Sequence, residues 1–93
     1  MTDDEINQVV SKLLYDRFGA LGFEYSTVKS EQDFDNTFII RATAHFKNDE
    51  IPAERLIEAN HDIQSELVKR GEERFVFLTR EFPHQEMVDE DLE

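Results

Sequence analysis

A chain of 93 residues without cysteine fits one small domain and excludes disulfides, thiol catalysis and zinc-thiolate sites. Its 22 acidic and 10 basic residues give a formal net charge of −12, which disfavours direct DNA or RNA binding, because nucleic-acid backbones are bound by clustered Lys and Arg. With 39% hydrophobic residues, including eight Phe and no Trp, the composition indicates a folded protein whose core we expect Phe to dominate.

The first predicted element is an amphipathic helix that begins near residue 3. Thr2 and Glu5 have the spacing of a capping box, in which each side chain bonds the backbone N–H of the other residue. Apolar residues then recur at the i, i+3, i+4, i+7 spacing of a helix with one buried face. Two glycines follow as stop signals, so we expect the helix to end near Ala20.

Two strands joined by a hairpin are predicted next. Residues 23–29 are rich in β-branched and aromatic side chains, and the polar residues 30–36 predict the hairpin loop. Residues 37–46 alternate in polarity, which predicts a strand with one buried face. The residues expected to face the core are Phe38, Ile40, Ala42, Ala44 and Phe46.

A second helix, a third strand and an acidic tail complete the predicted order. Pro52 suits the first turn of a helix, which should run to about Arg70. Residues 74–82 predict the third strand, bounded by a proline. We therefore divide the chain into a single domain, 1–83, and a tail, 84–93, which has five acids, little to bury and an expected high mobility.

The order helix, strand, strand, helix, strand predicts an α+β fold, a two-layer sandwich with a three-stranded mixed sheet. Both helices would cover one face of the sheet. The first two strands would form an antiparallel hairpin, and the second helix would connect two parallel strands by a right-handed crossover. The sequence leaves the strand order open.

This element order resembles that of BON domains and of the cytoplasmic domains of cation-diffusion transporters. Residues 75–83, FVFLTREFP, are similar to the closing strand and proline of the transporter domains. The G-x-x-G loop of KH nucleic-acid domains is absent. Because the resemblance is one of topology, it implies a fold and assigns no site residues.

Two helices would leave the other face of the sheet uncovered. The third strand is apolar in both alternating sets, so one apolar set must face outward. The residues that we assign to this outer surface are Ile39, Arg41, Val76, Leu78 and Arg80. Such a patch favours sheet-to-sheet dimerisation or a docked partner. In the alternative, the tail folds back and covers it through Met87, Val88 and Leu92.

Four carboxylates recur at every fourth position of the second helix, namely Glu54, Glu58, Asp62 and Glu66. Like charges at this spacing repel, so this acidic stripe must be hydrated or meet a cation, and Arg70 should relieve part of the repulsion. We interpret the stripe as a surface that steers a basic protein partner. The tail acids assigned to the same role are Glu86, Asp89, Glu90 and Asp91. Solubility or a salt-rich cytosol would also explain the acidic excess.

Side chains with catalytic or metal-binding potential form no recognisable motif. His45, His61 and His84 lie on different predicted elements, without the H-x-x-x-H spacing that places two ligands on one helix face. The serines have no G-x-S-x-G elbow and the glycines form no phosphate-binding loop. We therefore predict no catalysis, no cofactor and no metal.

These features predict a small non-catalytic protein-binding module, such as an inhibitor, antitoxin or immunity-type protein that masks a basic partner. The acidic N-terminus and the lack of a long apolar run favour a soluble cytoplasmic protein without a membrane segment. We expect a homodimer. Two alternatives stay open: a structural or regulatory subunit that docks through the open sheet face, and a metal- or ligand-sensing domain.

Overall fold

The computed structural model describes residues 1–83, which form two helices and a three-stranded sheet. The elements are α1 (Asp3–Phe18), β1 (Phe23–Gln32), β2 (Phe38–Phe46), α2 (Ala53–Lys69) and β3 (Phe75–Glu81), with a short 3₁₀ turn (Gly19–Leu21) after α1. The predicted α+β class and element order are confirmed. The tail, 84–93, lies outside the described residues.

Helix α1 begins with the predicted capping box. The Thr2 hydroxyl accepts a hydrogen bond from the Glu5 N–H at 3.1 Å, and the Glu5 carboxylate accepts one from the Thr2 N–H at 2.8 Å. The helix ends two residues earlier than predicted, at Phe18, because the chain tightens into the 3₁₀ turn. Gly22 closes this turn with a φ of 106°, a left-handed conformation that glycine adopts without a steric penalty.

The strand order is β1-β2-β3, with β1 antiparallel and β3 parallel to β2. The predicted pairing directions are thus confirmed. The hairpin loop is shorter than predicted, because β1 continues as far as Gln32, which pairs with Phe38. The Asp33 N–H then donates to the Thr37 carbonyl oxygen at 2.7 Å, so cross-strand pairing overrides the polar composition of this segment.

The core lies between the helices and one face of the sheet. The buried side chains of both helices form one cluster with Ile40, Ala42, Ala44 and Phe46 of β2 and with Val76 of β3. Because these strand residues share one face, the cluster is consistent with both helices lying on that face. Phe38, which we expected in the core, is exposed because it begins β2 at the end of the sheet.

The predicted outer surface is wrong in β3. The register pairs Val76 with Ile40 and Leu78 with Ala42, which turns both toward the helices, and Val76 is only 3% exposed. Arg80 lies on the same side and donates a hydrogen bond to the Ile51 carbonyl oxygen. Because both alternating sets of β3 are apolar, only its register against β2 decides which set is buried.

Half of the eight Phe residues are exposed, which corrects the expectation that Phe dominates the core. Phe18, Phe23 and Phe46 are buried. The exposed ones are Phe34 in the hairpin loop, Phe38 at the start of β2, and Phe75 and Phe77 in β3. The aliphatic side chains of the two helices fill most of the remaining core.

Two amide side chains of α2 occupy the outer edge of β3. Asn60 accepts a hydrogen bond from the Leu78 N–H at 2.9 Å. Gln64 accepts one from the Val76 N–H and donates one to the Arg74 carbonyl oxygen, both at 2.9 Å. These are the backbone groups through which an edge strand would pair with another chain. The β3 edge is therefore closed to strand addition by the protein's own helix.

Replacing Gln64 by Met, which has similar length and no amide, is expected to lower the free energy of unfolding by about 1–2 kcal/mol, because the Val76 N–H loses its acceptor. Urea unfolding measures this loss, and hydrogen exchange of the Val76 amide should become faster. Gln8→Met on the exposed surface of α1 is the matched control. Equal stability of the two variants would contradict the role of the amide.

Candidate functional site

The sheet face opposite the helices is the main candidate surface, and we call it the outer face. Four rows of three side chains cross it, one from each strand. From the hairpin end, the rows are Glu31, Ile39 and Phe75; Lys29, Arg41 and Phe77; Thr27, Thr43 and Thr79; and Tyr25, His45 and Glu81. None of these side chains belongs to the core cluster that the helices form with the other face.

The hairpin end of the outer face is an apolar corner. Phe75 is 65% exposed and Phe77 is 48% exposed, while Ile39 beside them is only 7% exposed. Arg41 donates a hydrogen bond to the Glu31 carboxylate at 3.0 Å across the neighbouring strands. The two exposed aromatic rings lie next to the surface ion pair between Arg41 and Glu31. The hairpin end therefore combines apolar area with a fixed polar border.

The other end of the outer face is polar and aromatic. The ring of Tyr25 stacks on that of His45 with centroids 4.1 Å apart and planes 9° apart. The His45 Nδ1 atom lies 3.6 Å from a Glu81 carboxylate oxygen, beside an open cleft of about 330 Å³. One imidazole and one contacting carboxylate supply too few ligands for a typical metal site. Within residues 1–83, no three His, Asp or Glu side chains are grouped so that they could hold a metal ion.

The outer face is electrically neutral in an acidic molecule. It carries Lys29 and Arg41 against Glu31 and Glu81. Without the five acids of the tail, residues 1–83 have 10 basic and 17 acidic side chains, which leaves a net charge of −7. The excess negative charge therefore lies on the helices and loops. The outer face, which carries the exposed aromatic rings, contributes no net charge.

The acidic stripe is only partly free. Asp62 forms an ion pair with Arg17 of α1, and Glu66 accepts a hydrogen bond from Arg70 at 2.9 Å, as we expected for that pair. Glu54 and Glu58 remain exposed. The sequence could not indicate the contact with Arg17, because the packing of α1 against α2 brings together residues 45 positions apart.

Two serines that could act as nucleophiles belong to a structural polar cluster instead. Ser26 of β1 is buried and donates a hydrogen bond to the Asn7 side-chain oxygen at 2.7 Å. The Ser11 hydroxyl of α1 lies 2.5 Å from that of Ser26. Where α1 packs on the sheet, the three side chains satisfy one another's hydrogen-bonding groups, so they need no further hydrogen-bond partner.

Several sequence-predicted residues lie outside the described part of the chain. These are the acids Glu86, Asp89, Glu90 and Asp91, together with His84 and the proposed covering residues Met87, Val88 and Leu92. Of the predicted outer-face residues, Ile39 and Arg41 lie on that face, whereas Val76, Leu78 and Arg80 do not. Phe75 and Phe77 lie on this face although they were not assigned to it from the sequence, because no local signal distinguishes them from the buried set.

Comparisons with protein-family models, with curated proteins and with solved structures found no significant match. Within residues 1–83, neither helix has both the length and the apolar character that crossing a bilayer requires. The fold and the surface together define the chain as a two-layer α+β sandwich with a neutral, partly aromatic sheet face and acidic helices.

Proposed function

We propose that the protein is a cytoplasmic, non-catalytic protein-binding module. It pairs with a second copy of itself through the outer face and leaves its acidic helices accessible to a basic protein partner. The observation that carries this proposal is the exposure of Phe75 and Phe77 on the sheet face whose side chains lie outside the core cluster. Exposed aromatic residues grouped on one face are typical of interaction surfaces.

A second copy is the occupant that the charge distribution favours. Two molecules with a large negative net charge repel each other, and this repulsion is smallest where they meet through a neutral surface. The outer face has two residues of each sign, so a symmetric pair brings no excess of like charge into contact. A strongly basic partner would gain more electrostatic attraction from the acidic helices than from this neutral face.

The size of the outer face predicts a weak dimer. Three strands about 4.8 Å apart and four rows about 6.8 Å apart give a footprint of about 400 Å². A standard stable interface buries about 800 Å² on each partner. We therefore expect association in the micromolar to millimolar range, so that the fraction of dimer rises with protein concentration.

Phe75→Glu is expected to abolish this dimer, because it places an unpaired charge in the apolar corner. Sedimentation equilibrium over a range of protein concentrations measures the association constant. Phe34→Glu is the matched control, since Phe34 is 97% exposed in the hairpin loop and lies off the outer face. Its dimer should be as strong as that of the unchanged protein.

The salt dependence of dimerisation provides a second, independent test of this proposal. Higher ionic strength screens repulsion between two acidic copies, so dimerisation should strengthen as salt is raised. A protein that is monomeric at millimolar concentration in both low and high salt would overturn self-association. A dimer that Phe75→Glu leaves intact would place the contact elsewhere.

A further inference from the structure

The cleft beside His45 lies at the end of the outer face away from the hairpin, and we call it the end cleft. The start of β1, the end of β2 and the residues that close and follow β3 all contribute to it. Its lining residues are Glu24, Tyr25, His45, Phe46, Glu81, Phe82 and Pro83. Its volume of about 330 Å³ falls within the range of about 300–1,000 Å³ that is typical of small-ligand sites.

An irregularity in β1 brings two consecutive side chains to this cleft. The register against β2 shifts between Phe23 and Tyr25, so Glu24 is an extra residue without a partner of its own. In a regular strand, consecutive side chains point to opposite faces of the sheet. Here Glu24 and Tyr25 are both exposed, and both line the end cleft. The bulge therefore adds a carboxylate to the aromatic side of the cleft.

The charged groups that line the end cleft are acidic. Glu24 comes from β1 and Glu81 from β3, and among residues 1–83 neither forms an ion pair with a lysine or arginine. No lysine or arginine lines the cleft. Arg80 is engaged nearby, because its guanidinium carbon lies 6.0 Å from the centroid of the Phe82 ring and it also donates to a backbone carbonyl oxygen. The lining of the cleft is therefore complementary to a cation.

The aromatic side chains indicate which kind of cation fits best. The Tyr25 ring stacks on His45 and is still 53% exposed, so it offers a flat surface beside the two carboxylates. A guanidinium group is planar, stacks on aromatic rings and presents several N–H donors in one plane to carboxylate oxygens. An ammonium group is a compact, strongly hydrated charge that uses such a flat surface less well. The lining therefore favours a guanidinium group.

We propose that the end cleft binds the guanidinium group of an arginine side chain from the basic partner protein. The group lies against the Tyr25 ring and donates hydrogen bonds to the carboxylates of Glu24 and Glu81. Because the cleft is open to solvent, this contact fixes the position of the partner and contributes only part of the affinity. The inference rests on the proposed function for the source of the arginine, and it does not require dimerisation.

Arginine blocked as its N-acetyl methylamide is a suitable probe, because it carries the side chain without free backbone charges. Titration followed by NMR measures its affinity, and the shifted resonances should centre on Tyr25, His45 and Glu81. The double variant Glu24→Gln, Glu81→Gln should weaken binding about tenfold, since two charge-assisted contacts are lost. Tyr25→Leu should weaken it about threefold, because the stacking surface is removed.

A matched variant and three matched probes separate the end cleft from general attraction to an acidic protein. The double variant Glu54→Gln, Glu58→Gln removes the same charge from exposed positions of α2 and should bind within about twofold of the unchanged protein. Blocked citrulline, which has a similar shape and no charge, should bind at least about tenfold more weakly, and blocked lysine about threefold more weakly. Free arginine should bind no better than the blocked form.

Three results would overturn the proposal. An equal loss in the two double variants would show that only the net charge attracts the probe. Equal affinity for blocked arginine and blocked lysine would remove the assignment to a guanidinium group. Tighter binding of free arginine would assign the cleft to the free amino acid and not to a side chain of a protein.

The same measurements distinguish this inference from the proposed function. Phe75→Glu should bind the probe within about twofold of the unchanged protein, because Phe75 lies at the opposite end of the outer face and does not line the cleft. A monomeric protein that binds the probe through Glu24 and Glu81 would overturn self-association and retain the end cleft. A dimer that does not bind the probe would overturn the end cleft alone. Binding of the probe should weaken with salt, whereas dimerisation should strengthen.

Discussion

Phe46→Ala is expected to lower the free energy of unfolding by about 3–5 kcal/mol, the largest loss that we predict for a single substitution. The Phe46 ring is buried and contacts Phe18 and Phe23 edge to face, with centroids 5.8 Å apart in both pairs. These three rings join the end of α1, the start of β1 and the end of β2. The loss combines the transfer of apolar area to water with the cavity that remains.

Urea unfolding followed by circular dichroism measures this loss. Phe34→Ala provides a control with the same chemical change, because Phe34 is almost fully exposed and should change the stability by less than about 0.5 kcal/mol. A similar loss in both variants would show that the three-ring cluster does not determine the stability. Phe46→Leu, which keeps most of the volume, should recover a large part of it.

Glu72→Gln is expected to lower the free energy of unfolding at pH 7 by about 2–3 kcal/mol. Glu72 is buried and accepts hydrogen bonds from the Arg74 guanidinium at 2.8 Å and 3.0 Å. These bonds, together with the charge of Arg74, lower the pKa of Glu72 from 4.5 to about 2, although burial acts in the opposite direction. A neutral amide would leave the partly buried guanidinium without its counter-charge.

The lowered pKa fixes the pH at which this contribution disappears. The unfolded chain binds the proton of Glu72 more readily than the folded chain does, so the stabilisation is fully present above pH 4.5 and is lost as the pH falls toward 2. The difference in stability between the unchanged protein and Glu72→Gln should therefore shrink over this interval. Urea unfolding at several pH values down to the limit of the folded state measures it.

Glu73→Gln is the neighbouring control, because Glu73 is exposed. It should change the stability by less than about 0.5 kcal/mol at pH 7. A pH-independent difference between Glu72→Gln and the unchanged protein would contradict the assignment. In that case the effect would come from altered packing and not from the charge of Glu72.

The elements of this fold could be predicted from the sequence because their signals are local. The capping box of α1, the helical period of both helices and the alternation of β2 each lie within one element. The length of β1 was underestimated, since its last residues are polar and become strand only by pairing with β2. That pairing depends on residues beyond the loop, which no local pattern describes.

The candidate surfaces were harder to predict because they depend on how elements meet. In β3, both alternating sets are apolar, and the register of β3 against β2 determines that Val76 is buried and Phe77 is not. Half of the acidic stripe is neutralised by arginines, one of them from α1.

The amides of Asn60 and Gln64 also limit how the sheet could polymerise. β1 and β3 are the two outermost strands, and only β1 lacks such an amide cover among residues 1–83. If copies were to add strands at β1 alone, growth would stop once two β1 edges had paired, at six strands. Open-ended fibrils built from folded copies would need both sides to accept strands, and α2 prevents this on one of them.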